Sequence, residues 1–346
     1  MKRFAFAFPG DLSTPTGGYA YDRRMIDELR QLGWQIELVG LGNGFPFPSD
    51  ATKKRAHEKL LAIDAERIVV IDGLALGVLP ETARTLGRLL ALVHHPLAVE
   101  SGISAEQAKD LRVSEQAALA AARRVVVTSP ATAQQLSLHY AVPAERMTVV
   151  KPGCDPVPPS RRQPDSTVHL LSVGAVVQRK GYDVLVAALA TLTDLPWRLT
   201  IAGDCTRSPE TAAQLTADIG RWNLGNRVSV LGAVPEDRLA DLYAAADIFV
   251  LASRFEGYGM AFAEAIARGL PVIGTTAGAI PGTVPAEAGV LVAPDDASGL
   301  AVALRRLICN QEERQRFATA ARAAAARLPT WPESAQIFSH VLETLA

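Results

Sequence analysis

Two doubly wound parallel-sheet α/β domains are the fold that the sequence predicts, and three observations predict it. Short, nearly continuous apolar runs alternate with longer helical patterns along the whole chain, as parallel sheets covered on both faces require. Those runs fall into two sets of about six. Between the sets lies a segment that can continue neither strand nor helix.

The strand-like runs of the first set are 3–8, 35–41, 67–71, 89–94, 124–128 and 147–151; those of the second are 168–174, 197–203, 227–231, 247–252, 271–275 and 289–292. Helical patterns occupy Tyr19–Leu32, Ala105–Ala122, Tyr182–Leu192, Glu210–Trp222, Glu236–Ala245, Gly259–Ala267 and Ala297–Leu307. The break is Lys151–Pro164, with five prolines in fourteen residues, and polar residues follow. Proline fixes φ and removes a hydrogen-bond donor, so this stretch reads as an interdomain linker. The expected division is residues 1–153, a linker over 152–164, and residues 165–328.

A length of 346 residues suits two such domains, and 49% hydrophobic with 21% charged residues is an ordinary balance for packed cores. The net charge of −1 gives no field to recruit nucleic acid. Cys154, Cys205 and Cys309 lie far apart with no CxxC pair, which argues against a disulfide framework or zinc site and for a reducing compartment. Lys2–Phe8 has a basic start, but its apolar run is too short for a signal peptide and reads as a first strand. No stretch reaches the ~18 apolar residues of a membrane span. The expectation is a cytoplasmic protein. Lys53–Leu61 is basic enough to touch anionic lipid, although a solvated helix face explains it more simply.

Dinucleotide binding is the first suspicion for this pattern, yet its fingerprint is missing. Gly40-Leu41-Gly42-Asn43-Gly44 is followed by Phe45-Pro46-Phe47-Pro48 where a helix should open, and there is no GxxxxGK[ST] loop. The informative segment is Phe249–Val272. A buried strand ends at Ser253, a turn with Gly257 and Gly259 follows, and an alanine-rich helix runs to Gly269 and Pro271. Such a strand-loop-helix unit puts its loop at the carboxyl edge of the sheet, where open α/β folds bind ligands. The glycines let the backbone approach a ligand, and helix-terminal amides favour an anion. Glu256 sits at the mouth of the turn and Glu264 about one and a half turns into the helix.

Glu256 and Glu264, spaced E-x7-E within EGYGMAFAEAIARGLPVI, resemble the signature of glycosyltransferase family 4, retaining transferases of the two-domain GT-B fold. Leu170–Gly174 followed by Arg179-Lys180-Gly181, then Leu199–Asp204, then Val228–Gly232 with Leu239–Asp247 resemble the family's other second-half motifs in order. The resemblance implies a nucleotide-sugar site in which Glu264 holds the donor ribose, and Glu256 with the amides of Gly257, Tyr258 and Gly259 holds the transferred sugar. It implies that Lys180, helped by Arg179 and the Gly174 loop, neutralises the departing diphosphate. Charge separates in that reaction, and fixed cations at one end with a carboxylate at the other would stabilise it. A basic pair at a helix start opposes the helix dipole, which itself argues for an anionic ligand. One departure stands out: many relatives have arginine after the glycine matching Gly174, whereas this chain has Ala175.

In the first half, Thr14–Tyr19, with Gly17 and Gly18, resembles the family's glycine loop between first strand and first helix, and an ordinary turn is the alternative. His94 resembles the family's histidine near acceptor and transferred sugar; His95 and Glu100, the latter in Glu100-Ser101-Gly102, are acceptor-side candidates. The expectation is therefore a retaining hexosyltransferase with its site in the interdomain cleft. It would take a nucleotide-diphosphate sugar and an acceptor hydroxyl, with no cofactor and no metal. A GT-B sugar-nucleotide epimerase and a non-catalytic sugar-nucleotide-binding subunit are the alternatives. Residues 330–346 are expected to form a last helix that returns to residues 1–150.

Overall fold

The computed structural model describes residues 2–100, 102–157 and 167–346. Residues 158–164 of the expected linker, and Ser101, lie outside the described residues. The chain divides into two units, Met1–Gly153 with Pro329–Ala346, and Cys154–Leu328.

The first unit runs β1 (Arg3–Phe8), α1 (Gly17–Gln31), β2 (Gln35–Gly40), α2 (Asp50–Leu61), β3 (Ile68–Asp72), α3 (Gly73–Leu76), α4 (Pro80–Thr85), β4 (Leu89–Val93), α5 (Ala105–Ala121), β5 (Arg124–Val127), α6 (Pro130–Tyr140) and β6 (Met147–Val149). Its strands form one parallel sheet in the order β2-β1-β3-β4-β5-β6. The central runs IVVID and LLALV are buried along their whole length, which is why they carry no polar alternation. Side-chain caps open the helices: Thr16 for α1, Ser49 for α2, a Ser104–Gln107 capping box for α5 and Ser129 for α6.

The second unit runs β7 (Val168–Val173), α7 (Tyr182–Ala190), β8 (Trp197–Ala202), α8 (Pro209–Arg221), β9 (Val228–Val230), α9 (Glu236–Ala245), β10 (Ile248–Val250), α10 (Met260–Ala267), β11 (Val272–Thr275), α11 (Ile280–Thr283), β12 (Gly289–Val292), α12 (Ala297–Cys309) and α13 (Gln311–Ala325). Its parallel sheet has the order β12-β11-β10-β7-β8-β9. The order reverses direction between β7 and β10, and in the first sheet between β1 and β3. At such a switch point adjacent loops turn to opposite faces and leave a crevice at the carboxyl ends. Buried Phe249 on β10 lies 5.3 Å edge-on to Phe262 of α10 and 6.1 Å from Tyr243 of α9, so these elements share one core. Truncating such an aromatic costs about 3–5 kcal/mol.

The last helix, α14 (Trp331–Glu343), belongs to the first unit. A Thr330–Glu333 capping box opens it. Trp331 packs 5.8 Å from Tyr21, Trp34 Nε1 donates to Ser339 Oγ at 2.9 Å, and Lys2 pairs with Glu343 at 2.8 Å. Among the described residues, no helix is long and apolar enough to cross a membrane.

Candidate functional site

The switch point of the second sheet gathers most of the residues singled out in that half. Between β7 and α7 the chain makes a 3-10 turn, Gln178–Lys180, closed by Gly181 at φ +65°. A Cβ at Gly181 would fall 2.0 Å from the Ala252 carbonyl oxygen, so only glycine lets the turn dock on the end of β10. Arg254 fastens the same junction: its amide donates to Arg179 O at 2.8 Å, and its guanidinium donates to Gln178 O and pairs with Asp183 and Asp295.

This docking puts Lys180 onto Glu256. Lys180 Nζ donates to Glu256 Oε1 at 2.6 Å, and its stem crosses Gly174, with Cε 3.1 Å from where a Cβ would stand. Ser253 Oγ donates to the same carboxylate oxygen at 2.6 Å. Arg179 reaches Glu256 Oε2 at 3.5 Å and donates to Phe255 O at 3.0 Å. Glu256 is only 6% exposed. Burial opposes its charge, but Lys180 and Arg179 outweigh that and hold its pKa below the ordinary value. Burial lowers the Lys180 pKa, with Glu256 opposing and Arg179 adding to the fall.

The β11–α11 loop buttresses the glutamate from behind. Thr275 Oγ1 donates to Ser253 O at 2.5 Å, Ala279 N to Glu256 O at 2.9 Å, and Thr283 Oγ1 to Tyr258 O at 2.6 Å. Gly278, at φ +55°, lies so close that a Cβ there would meet Glu256 O at 2.4 Å. Gly257 and Tyr258 complete the turn, and Gly259, at φ +89°, starts α10. Glu264 stands apart on the half-buried side of that helix. It accepts from Tyr243 OH at 3.0 Å, and Arg268 follows one turn later, its guanidinium 4.4 Å from the Tyr243 ring. Burial raises its pKa, Tyr243 and Arg268 oppose, and Glu236 and Asp155 add to the rise.

Lys180 and Glu256, expected to serve the two ends of the reacting bond, are in direct contact here. One expectation needs correction: Arg179 and Lys180 do not open a helix. They occupy the 3-10 turn, α7 starts at Tyr182, and Glu256 accounts for their charge without the dipole argument.

In the first unit, Gly17 and Gly18 are not a loop but the first residues of α1, because Thr16 caps the helix there and accepts from Tyr19 N at 3.2 Å. A Cβ on Gly18 would lie 3.3 Å from His94 Cδ2, so the helix start rests on that ring. His94 follows the carboxyl end of β4, and its Nε2 lies 3.1 Å from Asp22 Oδ1 and 3.6 Å from Asp72 Oδ2. Neither aspartate was singled out from the sequence. Asp22, Asp72 and His94 are, among the described residues, a group whose donor atoms lie within 4.8 Å of one another, close enough to hold a metal ion. A separation of 3.1 Å is an ordinary hydrogen-bond length, and we read the group as hydrogen-bonded. His95 and Glu100 form a separate pair, Nε2 to Oε1 at 2.5 Å.

Residues 158–324 match the family described as glycosyl transferases group 1. Among curated proteins, the chain is 35% identical over 215 residues to D-inositol 3-phosphate glycosyltransferase 1 of Catenulispora acidiphila, covering 56% of this chain and 51% of that one. It is 32% identical over 240 residues to the D-inositol 3-phosphate glycosyltransferase of Xylanimonas cellulosilytica, covering 64% of this chain and 57% of that one. The chain thus spans little more than half the length of these relatives. Among solved structures, the sucrose-phosphate synthase of Thermosynechococcus elongatus superposes with a TM-score of 0.84 at 23% identity, over 99% of each chain. Anabaena HepE, solved with UDP and glucose, gives 0.81 at 20% identity, over 99% of this chain and 100% of that one.

Proposed function

We propose that this chain, a GT-B protein with a glycosyl transferases group 1 domain over residues 158–324, moves a hexose from a nucleotide-diphosphate sugar to an acceptor hydroxyl with retention of anomeric configuration. The observation that carries the reading is the buried Lys180–Glu256 pair lying across Gly174 at the switch point of the second sheet. An isolated buried ion pair gives little net stability over an apolar pair, so a role for its charges in function is the better explanation of its place.

Departure of a nucleoside diphosphate builds negative charge on the leaving phosphate and positive charge on the sugar ring. In this reading the diphosphate draws Lys180 toward itself, with Arg179 behind it, and leaves Glu256 to face the ring carbon as charge develops there. The ion pair is then the resting form of the charge separation that the reaction needs. Glu264, further along α10, takes the ribose hydroxyls. UDP bound to HepE supports a uridine donor as the first to try. The names of the relatives point to phosphorylated polyols and sugars as the first acceptors to try.

The test incubates the purified chain with UDP-, GDP- and ADP-sugars and a panel of such acceptors, and reads the anomeric proton of any product by NMR. A product with the donor's anomeric configuration supports the proposal. An inverted product, donor epimerisation without acceptor, or tight binding of a nucleotide with neither transfer nor hydrolysis would each overturn it.

A further inference from the structure

The switch point of the first sheet holds a second buried charge cluster, with its own geometry. Asp72 ends β3 and His94 follows β4, two neighbouring strands, while Asp22 comes down from α1. Asp22 is 0% exposed and Asp72 3%. Asp72 is oriented by its second oxygen, which accepts from Leu74 N at 2.7 Å as the cap of α3. Asp22 Oδ1 faces His94, and its buried Oδ2 finds no donor among the described residues. The imidazole is held from the other directions by Tyr21, whose ring meets it edge-on at 5.3 Å, and by Gly18. The His94 backbone carbonyl accepts from Thr128 Oγ1 at 3.2 Å.

Both inward atoms of the ring, Nε2 and Cδ2, are therefore spoken for. Nδ1 is the remaining ring nitrogen, and the His94 side chain keeps 17% of its exposure. Two carboxylates around one imidazole favour its charged form. We propose that Asp22 and Asp72 are positioning residues that lock His94 with Nε2–H turned inward and Nδ1–H presented, as a charged hydrogen-bond donor, to an oxygen of the bound substrate.

The electrostatics agree with the geometry. Burial opposes charge on His94, but Asp22 and Asp72 together overcome it and raise its pKa to about 10. Burial, with Asp72 adding, raises Asp22 to about 7, and His94 opposes. A proton on Asp22 leaves one carboxylate opposite one imidazolium, the least costly charge state for a buried triad. Asp22 and Asp72 are the charged side chains that meet the ring nitrogen. The adjacent His95 is paired with Glu100.

This inference rests on the transferase reading only for what the Nδ1–H touches, so its test has two arms. In the first, the full chain carries ¹³C,¹⁵N-labelled histidine, and His94→Gln assigns the His94 signals. The wild type is expected to keep both His94 ring nitrogens protonated from pH 6 to 9, and Asp22→Asn to lower its titration by a unit or more. Asp72→Asn should do the same and serves as the second variant if Asp22→Asn fails to fold. A neutral His94 at pH 7, or titrations unmoved by both substitutions, would overturn the locking. In the second arm, Asp22→Asn should cut transfer about 10- to 100-fold, the worth of one charged hydrogen bond. Unchanged transfer alongside a shifted His94 would overturn the contact with substrate. Absence of transfer in the wild type would sink the transferase reading instead, while the first arm still decides the triad.

Discussion

Lys180 and Glu256 neutralise one another at 2.6 Å, though 76 residues separate them in sequence, because two loops from the adjacent strands β7 and β10 leave the same sheet edge side by side. Neither group can be removed alone without stranding the other in a place burial makes unfavourable. Glu256→Gln and Lys180→Met should each destabilise the second unit by about 3–5 kcal/mol, and the double variant by much less than their sum. Urea unfolding of the four proteins measures the coupling; strictly additive losses would mean that the pair is not a unit. In transfer assays of variants that remain folded, Glu256→Gln should lower kcat with little change in donor KM, because its charge matters most as the ring becomes cationic. Lys180→Met should weaken both.

Glu264 makes a different prediction because its partners are different. It accepts from Tyr243 and sits where burial raises its pKa. If it grips the ribose equally in ground and transition states, Glu264→Gln should raise donor KM roughly 10- to 150-fold and leave kcat nearly intact. The ionised carboxylate accepts from hydroxyls more strongly than the neutral acid, so donor affinity of the wild type should fall as pH drops through the raised pKa. Calorimetric titration with the nucleoside diphosphate checks both, and an affinity independent of pH and of the substitution would remove Glu264 from the site.

The strands were legible because burial on both faces writes them as uninterrupted apolar runs, such as Ile68–Ile71 and Leu89–Val93. The start of α1 was not, since a Gly17-Gly18 pair is a poor helix former and the deciding feature is the cap at Thr16. Glu256 and Glu264 share one short motif and Lys180 lies in another, Arg179-Lys180-Gly181, so each could be singled out from the sequence alone. Their supports, Ser253, Thr275, Gly278 and Tyr243, come from elements that meet only in three dimensions. Asp22 reads as part of the polar face of α1, and nothing in helical spacing reveals that it is buried. A signal did exist for Asp72: like His94, it is a polar residue at the end of an apolar strand. Two such strand ends share one sheet edge.

We predict that transfer needs no metal, because other partners already occupy the acidic groups near the second-unit site. Asp296 caps α12, accepting from Gly299 N at 2.8 Å, and Asp295 pairs with Arg254 at 2.7 Å. With Lys180 and Arg179 supplying positive charge beside Gly174, transfer should persist in excess EDTA. Loss of activity on chelation, restored by Mg²⁺ or Mn²⁺, would refute this.

Glu115 should give the first unit a pH-dependent stability of defined sign. It lies on α5, 1% exposed, and accepts from Leu97 N at 2.8 Å, tying down the turn that follows His95. Burial raises its pKa to about 8, against opposing bonds from Leu97 and Tyr140. A carboxyl whose folded pKa lies above its unfolded value keeps more protons in the folded state. Its contribution is therefore fully present below about pH 4.5, is lost progressively as pH rises, and is gone above about pH 8. Glutamine retains an oxygen for Leu97 N and carries no ionisable proton. The wild type should thus lose stability between pH 5 and pH 8.5 by more than Glu115→Gln does, by an amount on the order of a few kcal/mol. Asp22, raised to about 7, pushes in the same direction in both proteins and so cancels from the comparison. Thermal or urea unfolding at the two pH values decides it: parallel losses in wild type and variant would show that Glu115 is ionised in the folded chain at little cost.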